Sequence, residues 1–255
     1  MSTMRKTLFQ LGVRSLFFVT FLVTVMGFGA THVSAASSPL GIWNVNANGY
    51  KGTLQISHLG SDGTIYGAVL GSYLIGNYNA STGAISFLRE IKTDFSYYQI
   101  YTGTLVGNAL SGNFDEFYGG LTAHSNPTLY QWSATLSQSL ANSPLHSANE
   151  SYSGWANGHY FNLDDYADPY GSLTGTIFGN PILGYESTSA FNFVRVINSD
   201  FSYFQIYIGS PYMSYCGGAP VHEIGGSFAE VHGPTNGYSG PPYSWSGQLD
   251  SDPCI

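Results

Sequence analysis

The sequence predicts an all-β protein built from two tandem, antiparallel up-and-down β-barrels of about eight strands each. Three observations predict this fold: an internal duplication, an alternation of apolar and polar residues with a period of two, and turn sequences at intervals of about ten residues. The composition agrees with it, because 43% hydrophobic and only 9% charged residues allow the chain to bury a large core.

The duplication is clearest in one segment that occurs twice. Residues 85–103 read ISFLREIKTDFSYYQIYTG, and residues 191–209 read FNFVRVINSDFSYFQIYIG. Shorter matches extend the similarity on both sides. We therefore predict a first repeat at residues 40–138, a linker rich in Ser and Asn at residues 139–150, and a second repeat at residues 151–250.

Alternating residues predict the strands of the first repeat. Leu54 and Ile56 alternate with Gln55 and Ser57, as in a strand with one buried face. Turn sequences such as Asn48-Gly49 separate such segments, and eight strands joined by short turns favour closure into a barrel, which removes unpaired strand edges. The predicted strands cover residues 42–46, 51–58, 63–70, 73–78, 84–91, 97–106, 109–116 and 129–137.

Glycine and tryptophan positions in the first repeat carry a family resemblance. They occur in the order Gly41-x-Trp43, Ser61-Asp62-Gly63-x-Ile65-x-Gly67, Ile75-Gly76-x-Tyr78-Asn79 and Trp132. This order resembles the avidin and streptavidin type of small exported barrel over about half of the repeat. The resemblance implies an eight-stranded barrel. The Asn-x-x-Gly-Ser turn of a biotin site is not matched, so the resemblance implies a fold more than a ligand.

The N-terminus has the layout of a secretory signal peptide at residues 1–35. Arg5, Lys6 and Arg14 precede an apolar run of 16 residues, and Val33-Ser34-Ala35 fits a cleavage site. An uncleaved membrane anchor is the alternative, but the run is shorter than the ~20 residues that a spanning helix needs. We expect a secreted, extracellular protein that has no membrane contact after cleavage.

The charge distribution excludes a nucleic-acid partner. Beyond residue 35, only Lys51, Arg89, Lys92 and Arg195 are basic, against 15 acidic residues. Such a chain cannot form the basic patch that binds phosphates. The expected partner is a small molecule or a glycan, together with a contact between the two repeats, and no cofactor is expected.

The two cysteines, Cys216 and Cys254, predict one disulfide, since oxidation is the default for an exported protein. It would attach a tail at residues 251–255 to the second repeat. A metal or redox site is the alternative, but no CxxC spacing occurs. His222-Glu223 and Glu230-x-His232 also contain metal-binding residue types, yet the first repeat has no counterpart of them, so no metal site is expected.

Each repeat carries one Arg and one Glu on the same strand face as a Phe. Phe87 shares a face with Arg89, and Phe114 shares a face with Glu116. If the Phe side chains point inward, both charges are buried, and a direct Arg89–Glu116 pair would offset the cost of burial. The corresponding pair of the second repeat is Arg195 and Glu230.

These pairs have two interpretations: an internal strut, or a polar anchor for a small ligand. Trp132 and Trp245, on the last strand of each repeat, are candidates for the wall of a cavity or for ordinary core. A row of Tyr and Gln is expected on the outer face, where it suits sugar stacking or contact between units, although a bulge would turn it toward the cavity. This row comprises Tyr97, Gln99, Tyr101, Tyr203, Gln205 and Tyr207.

We interpret the sequence as a secreted, non-enzymatic binding protein with two barrel modules for a small molecule or a glycan. One alternative is an extracellular structural protein whose solid barrels act through Tyr-rich surfaces. Another is a small-barrel cyclase or hydrolase that uses the Arg/Glu pair as an acid and electrostatic pair. A hollow interior would favour binding or catalysis, and a filled interior would favour surface contacts.

Overall fold

Antiparallel strands dominate the part of the protein that the structure describes. The structure is a computed structural model and describes residues 38–233 and 237–252. Within these ranges there is no α-helix, only a 3-10 turn at Gly120–Thr122, and no helix long and apolar enough to cross a membrane. The predicted signal peptide at residues 1–35 lies outside the described residues.

The eight strands predicted for the first repeat are confirmed, each within two residues at either end. A short additional strand was missed, because two residues carry no detectable period. The strands are β1 (Gly41–Ala47), β2 (Tyr50–Leu59), β3 (Thr64–Val69), β4 (Ser72–Tyr78), β5 (Ala84–Glu90), β6 (Tyr97–Val106), β7 (Ala109–Tyr118), the additional β8 (His124–Ser125) and β9 (Tyr130–Ser139).

The first repeat closes into an antiparallel barrel of eight strands. Each strand from β1 to β6 pairs with the next one along the chain, and β7 pairs with β9. The barrel closes where β9 pairs with β1. The short β8 pairs with the end of β7, outside this ring. Closure satisfies the backbone groups that would otherwise line two sheet edges.

The second repeat has strands in the same order. They are β10 (Glu150–Ala156), β11 (His159–Ala167), β12 (Ser172–Ile177), β13 (Asn180–Ser187), β14 (Ala190–Val196), β15 (Tyr203–Cys216), β16 (Ala219–His232), β17 (Tyr238–Ser239) and β18 (Tyr243–Leu249). Neighbours from β10 to β16 pair in chain order, β16 pairs with β18, and β18 pairs with β10. The short β17 pairs with β16 and with β8.

Three clusters of buried side chains form the core. One lies inside the first barrel around Trp43 and Phe87, and a second lies on the inner face of the second repeat around Phe193 and Trp245. The third cluster combines side chains of both repeats, and we call it the inter-repeat core. Its members with 0% exposure include Ile75, Leu88, Phe95, Tyr98, Phe117, Val194, Phe201, Phe204, Ile206 and Val231.

Polar contacts accompany the inter-repeat core. The Tyr66 hydroxyl donates to the Ile182 carbonyl oxygen at 3.2 Å, and Asn192 Nδ2 donates to the Thr93 carbonyl oxygen at 3.0 Å. The pairing of β8 with β17 adds a backbone contact between the repeats. Apolar packing and hydrogen bonds therefore join the two repeats along the same surface.

The face expected to be the outer surface is buried inside. Tyr101 and Tyr207 are both 0% exposed, and their rings stack on Phe87 at 4.7 Å and Phe193 at 4.4 Å between centroids. Strands β6 and β15 are each buried on both faces. One face lies inside the strand's own repeat, and the other lies in the inter-repeat core. The more apolar face of the strand therefore does not identify the interior of the repeat. This corrects the predicted surface location of Tyr97, Gln99, Tyr101, Tyr203, Gln205 and Tyr207.

The predicted disulfide joins one described cysteine to one outside the described residues. Cys216 ends β15, whereas Cys254 and the rest of residues 253–255 lie outside them, so the disulfide stays a prediction. The Asp252 carboxylate accepts a hydrogen bond from the backbone N–H of His222 on β16. Asp252 therefore lies beside the hairpin that contains Cys216.

Candidate ligand-binding sites

A network of polar side chains crosses three adjacent strands at one end of the first barrel. The register aligns Arg89 of β5 with Gln99 of β6, and Gln99 with Glu116 of β7. Since side chains alternate along a strand, these three share the face of the buried Phe87 and Phe114. The prediction that one Arg and one Glu lie on the Phe face agrees with this register.

Gln99 connects the Arg to the Glu. Arg89 Nη1 donates to Gln99 Oε1 at 3.0 Å, and Gln99 Nε2 donates to Glu116 Oε1 at 3.0 Å. The predicted direct contact between Arg89 and Glu116 is therefore corrected to a bridge through an amide. The reason is topological, since β6 lies between β5 and β7. Sequence reasoning placed Gln99 on the outer face and so missed its bridging position.

Tyrosine hydroxyls complete the network and favour the ionised form of Glu116. Tyr97 and Tyr118 donate to the two carboxylate oxygens of Glu116 at 2.7 and 3.0 Å, and Tyr101 donates to Gln99 Oε1 at 2.9 Å. Burial alone would raise the pKa of the Glu116 carboxyl. The hydrogen bonds together lower that pKa by more, so it lies below its usual value. Burial likewise raises the pKa of Tyr101 to about 12, which keeps this hydroxyl a donor.

An open pocket of about 400 Å³ lies against this network. Tyr101 and Phe114 give it an apolar wall, while the polar network and Lys51 supply charge and hydrogen-bonding groups. Pockets of a few hundred Å³ with apolar walls and a few placed polar groups are typical of small-molecule sites. The geometry therefore provides room for a small ligand at the end of the barrel.

The second repeat carries the same network around its own pocket of about 450 Å³. Arg195 Nη1 donates to Gln205 Oε1 at 3.0 Å, and Gln205 Nε2 donates to Glu230 Oε1 at 3.4 Å. The Tyr203 hydroxyl donates to Glu230 Oε1 at 2.7 Å, and the Tyr207 hydroxyl donates to Gln205 Oε1 at 2.9 Å. As in the first repeat, Gln replaces the predicted direct Arg–Glu contact.

The two arginines differ in their remaining partners. Arg195 also donates from Nε and Nη2 to Asn180 Oδ1 at 3.0 and 2.6 Å, and its guanidinium lies 4.4 Å from the Phe178 ring centroid. Arg89 Nη2 donates to the Leu70 carbonyl oxygen at 3.1 Å, and its buried Nε has no hydrogen-bond partner. The guanidinium of the first repeat is therefore less completely paired than that of the second.

The two candidate tryptophans lie in the core and not around these pockets. Trp132 is 3% exposed and packs edge-on against Phe87 and Tyr101, with centroids 5.5 and 5.6 Å apart. Trp245 is also 3% exposed and packs in the same way against Phe193, at 5.6 Å. Neither ring lines an end pocket, so this packing agrees with the alternative of ordinary core. Trp132 also borders a separate open pocket beside Gln131 and Ser133. Packed aromatic rings fill the middle of each repeat, and the pockets lie at one end.

Metal-binding residue types are dispersed. Within the described ranges no group of three or more His, Cys, Asp or Glu is arranged to hold a metal ion. His222 Nδ1 lies 3.4 Å from the Asp252 carboxylate, and the His232 ring stacks on Tyr203 at 5.1 Å between centroids. The two histidines of the motifs noted in the sequence therefore contact different groups.

No model of a known protein family matches the chain, and no curated protein has significant sequence similarity to it. The functional argument therefore depends on the geometry of the two pockets.

Proposed function

We propose that the protein is a secreted, non-enzymatic binding protein that holds one small molecule, or one terminal sugar of a glycan, in the end pocket of each of two tandem barrels. One observation carries the proposal: the same Arg–Gln–Glu–Tyr network borders a pocket of similar volume in both repeats, about 400 and 450 Å³. Partly buried charges are costly unless they are hydrogen-bonded. The presence of this network in both repeats therefore favours a function that both copies have kept over duplication alone.

The pairing of the second repeat supports two tandem barrels. In the first barrel, closure depends on the contact of β9 with β1. The corresponding contact of the second repeat is that of β18 with β10. The chain continues from one repeat to the other through residues 139–150, the predicted linker. Each module has its own apolar inner cluster.

The chemistry of the pocket favours binding over acid catalysis. Glu116 accepts hydrogen bonds from Tyr97, Gln99 and Tyr118. These bonds lower the pKa of the carboxyl by more than burial raises it, so the pKa lies below its usual value. A general acid that works near neutral pH needs a raised pKa. The fixed carboxylate instead orients Gln99 and two hydroxyls, which suits recognition of a ligand that carries hydrogen-bonding groups.

Native mass spectrometry of the protein secreted by its own host tests the proposal. We expect a non-covalent mass that is lost on denaturation, with up to two copies per chain. Arg89→Met should remove the copy bound by the first repeat and Arg195→Met the copy bound by the second. Lys92→Met is the matched control, since it removes the same charge from an exposed turn between β5 and β6 and should leave both copies in place.

Two outcomes contradict the proposal. One is a native mass equal to the mass of the chain alone. The other is a bound mass that survives both Arg substitutions, because the ligand would then lie elsewhere. Either result would favour the alternative in which the protein acts through its outer surfaces.

A further inference from the structure

A second group of polar residues lies at the other end of the second barrel. His159, at the start of β11, lines the pocket beside Arg195, whereas Asp165 lies six residues further along the same strand. At a rise of about 3.3 Å per residue, the two positions are about 20 Å apart. Asp165 shares the inward face of Phe161 and Leu163. The group is therefore distinct from the Arg pocket.

At this end, Glu150 and Glu186 lie near enough to the buried Asp165 to act on it electrostatically. Asp165 is directly paired with Glu150 in the register of β11 with β10, and Glu186 of β13 acts on Asp165 electrostatically. Asp165 is 0% exposed, and neither of its carboxylate oxygens has a hydrogen-bond partner. In the described part of the chain, no Lys or Arg forms an ion pair with any of the three. A buried carboxylate without a partner is costly.

An open pocket of about 620 Å³ is lined by Glu150 and Glu186, while Asp165 is buried and does not line it. Its lining combines Glu150 and Glu186 with the side chains of Tyr152, Tyr212 and Met213. Aromatic rings and thioethers interact favourably with organic cations and their apolar parts. A bare metal ion fits less well, since no close group of three ligands occurs within the described ranges and calcium needs six to eight oxygens.

The three carboxylates occur only in the second repeat. The Glu150–Asp165 register pair corresponds to Gly41–Ile56 in the first repeat, and the Glu186 position corresponds to Tyr78. Ile56 and Tyr78 belong to the apolar core of the first barrel. The first barrel therefore closes this end with apolar packing, and the second barrel replaces that packing with three acids. Glu150 accepts a hydrogen bond from the Tyr152 hydroxyl at 2.6 Å, whereas the buried Asp165 carboxylate has no partner. Replacing core residues by these acids is expected to destabilise the fold unless a cation is bound.

We propose that this end of the second barrel binds a small organic cation, a protonated amine whose ammonium group lies between Glu150 and Glu186, close enough to the buried Asp165 to offset its charge. The apolar part of the ligand contacts Tyr212 and Met213. Burial, followed by the charges of Glu186, Glu150 and Asp164, raises the pKa of Asp165 to about 8, and a bound ammonium would replace the proton that this carboxyl otherwise keeps. The proposal is independent of the function of the Arg pockets.

Calorimetric titration with two amines tests the proposal. Tyramine and spermidine are the probes, and tyrosol, in which a hydroxyl replaces the ammonium of tyramine, is the neutral counterpart. In phosphate buffer at pH 8, we expect at least one amine to bind and tyrosol to bind at least tenfold more weakly than tyramine, or not at all. Asp165→Asn and Glu186→Gln should each weaken amine binding at least tenfold.

Asp164→Asn is the matched control. Asp164 is the neighbour of Asp165 on β11, is exposed on the opposite face, and accepts a hydrogen bond from the Ser151 hydroxyl at 2.7 Å. Its replacement removes a charge from the same strand, and it should change amine affinity far less than Asp165→Asn does, since Asp164 is the smallest of the charges that act on Asp165. Failure of both amines to bind at millimolar concentration overturns the proposal. So does equal weakening by Asp164→Asn and Asp165→Asn, because binding would then reflect only the overall negative charge.

Discussion

Replacement of Asp165 by Asn should change how the stability of the protein depends on pH. Burial, with the neighbouring acids, raises the pKa of Asp165 from 3.8 to about 8 in the folded protein. The folded state therefore keeps a proton that the unfolded state loses near pH 4. Each rise of one pH unit between these limits lowers the free energy of unfolding by about 1.4 kcal/mol. From pH 5 to pH 7 the loss due to Asp165 is about 2–3 kcal/mol.

Urea unfolding at pH 5, 6 and 7 measures this effect. Buffers must contain no amine, since a bound cation would mask the carboxylates. The stability of Asp165→Asn relative to the unmodified protein should rise by about 2–3 kcal/mol over this range, because an amide has no proton to lose. Asp164→Asn should instead follow the pH dependence of the unmodified protein closely, since Asp164 is the smallest of the charges that act on Asp165. Parallel curves for Asp165→Asn as well would refute the assignment of a buried, unpaired carboxylate.

Three further substitutions test other parts of the structure. Glu116→Gln should lower the free energy of unfolding by about 1–3 kcal/mol at pH 7, because the side chain loses charged hydrogen bonds. The pKa of Glu116 is lowered in the folded protein, so the stability difference between the two proteins should shrink as the pH falls through the acidic range. Gly103→Ala places a Cβ 3.0 Å from Trp132 Cζ2 and 2.5 Å from a backbone oxygen, and it should lower the free energy of unfolding by about 1–3 kcal/mol. Gly240→Ala is the control: its Cβ would lie 3.8 Å from the nearest neighbouring atom, so it should lower the stability far less. Glu90→Gln, in the face between the repeats, should stabilise the protein more at pH 7 than at pH 5, since burial raises the pKa of Glu90 to about 7. Chemical unfolding monitored by tryptophan fluorescence checks all three, and unchanged midpoints would contradict the packing and burial described above.

The strands were predictable because each has a clear period and a turn at each end. The shared face of Phe87 and Arg89 followed from the same period. The choice of inner face for Tyr101 was not predictable, since its strand is buried on both sides and an alternating pattern cannot tell a barrel interior from an inter-repeat core. The bridging position of Gln99 needs the register between strands, which the sequence of one strand does not contain.

The acidic group of the second repeat was not predictable for a related reason. Glu150, Asp165 and Glu186 come from three strands, and each is an ordinary acid when its own strand is read alone. Their convergence depends on the curvature of the sheet and on the pairing of β10 with β11. The one available signal was a comparison of the repeats, in which Ile56 of the first repeat corresponds to Asp165 of the second.

The inter-repeat core also has an evolutionary consequence. Tyr98 and Phe117 of one half and Phe201 and Phe204 of the other are fully buried only while both halves are present. A truncated gene that encoded either half would produce a protein with a large apolar face open to water, which promotes aggregation. Loss of either repeat is therefore expected to be selected against. Residues away from the shared face are under no such constraint, and there the two repeats differ, as Ile56 and Asp165 do.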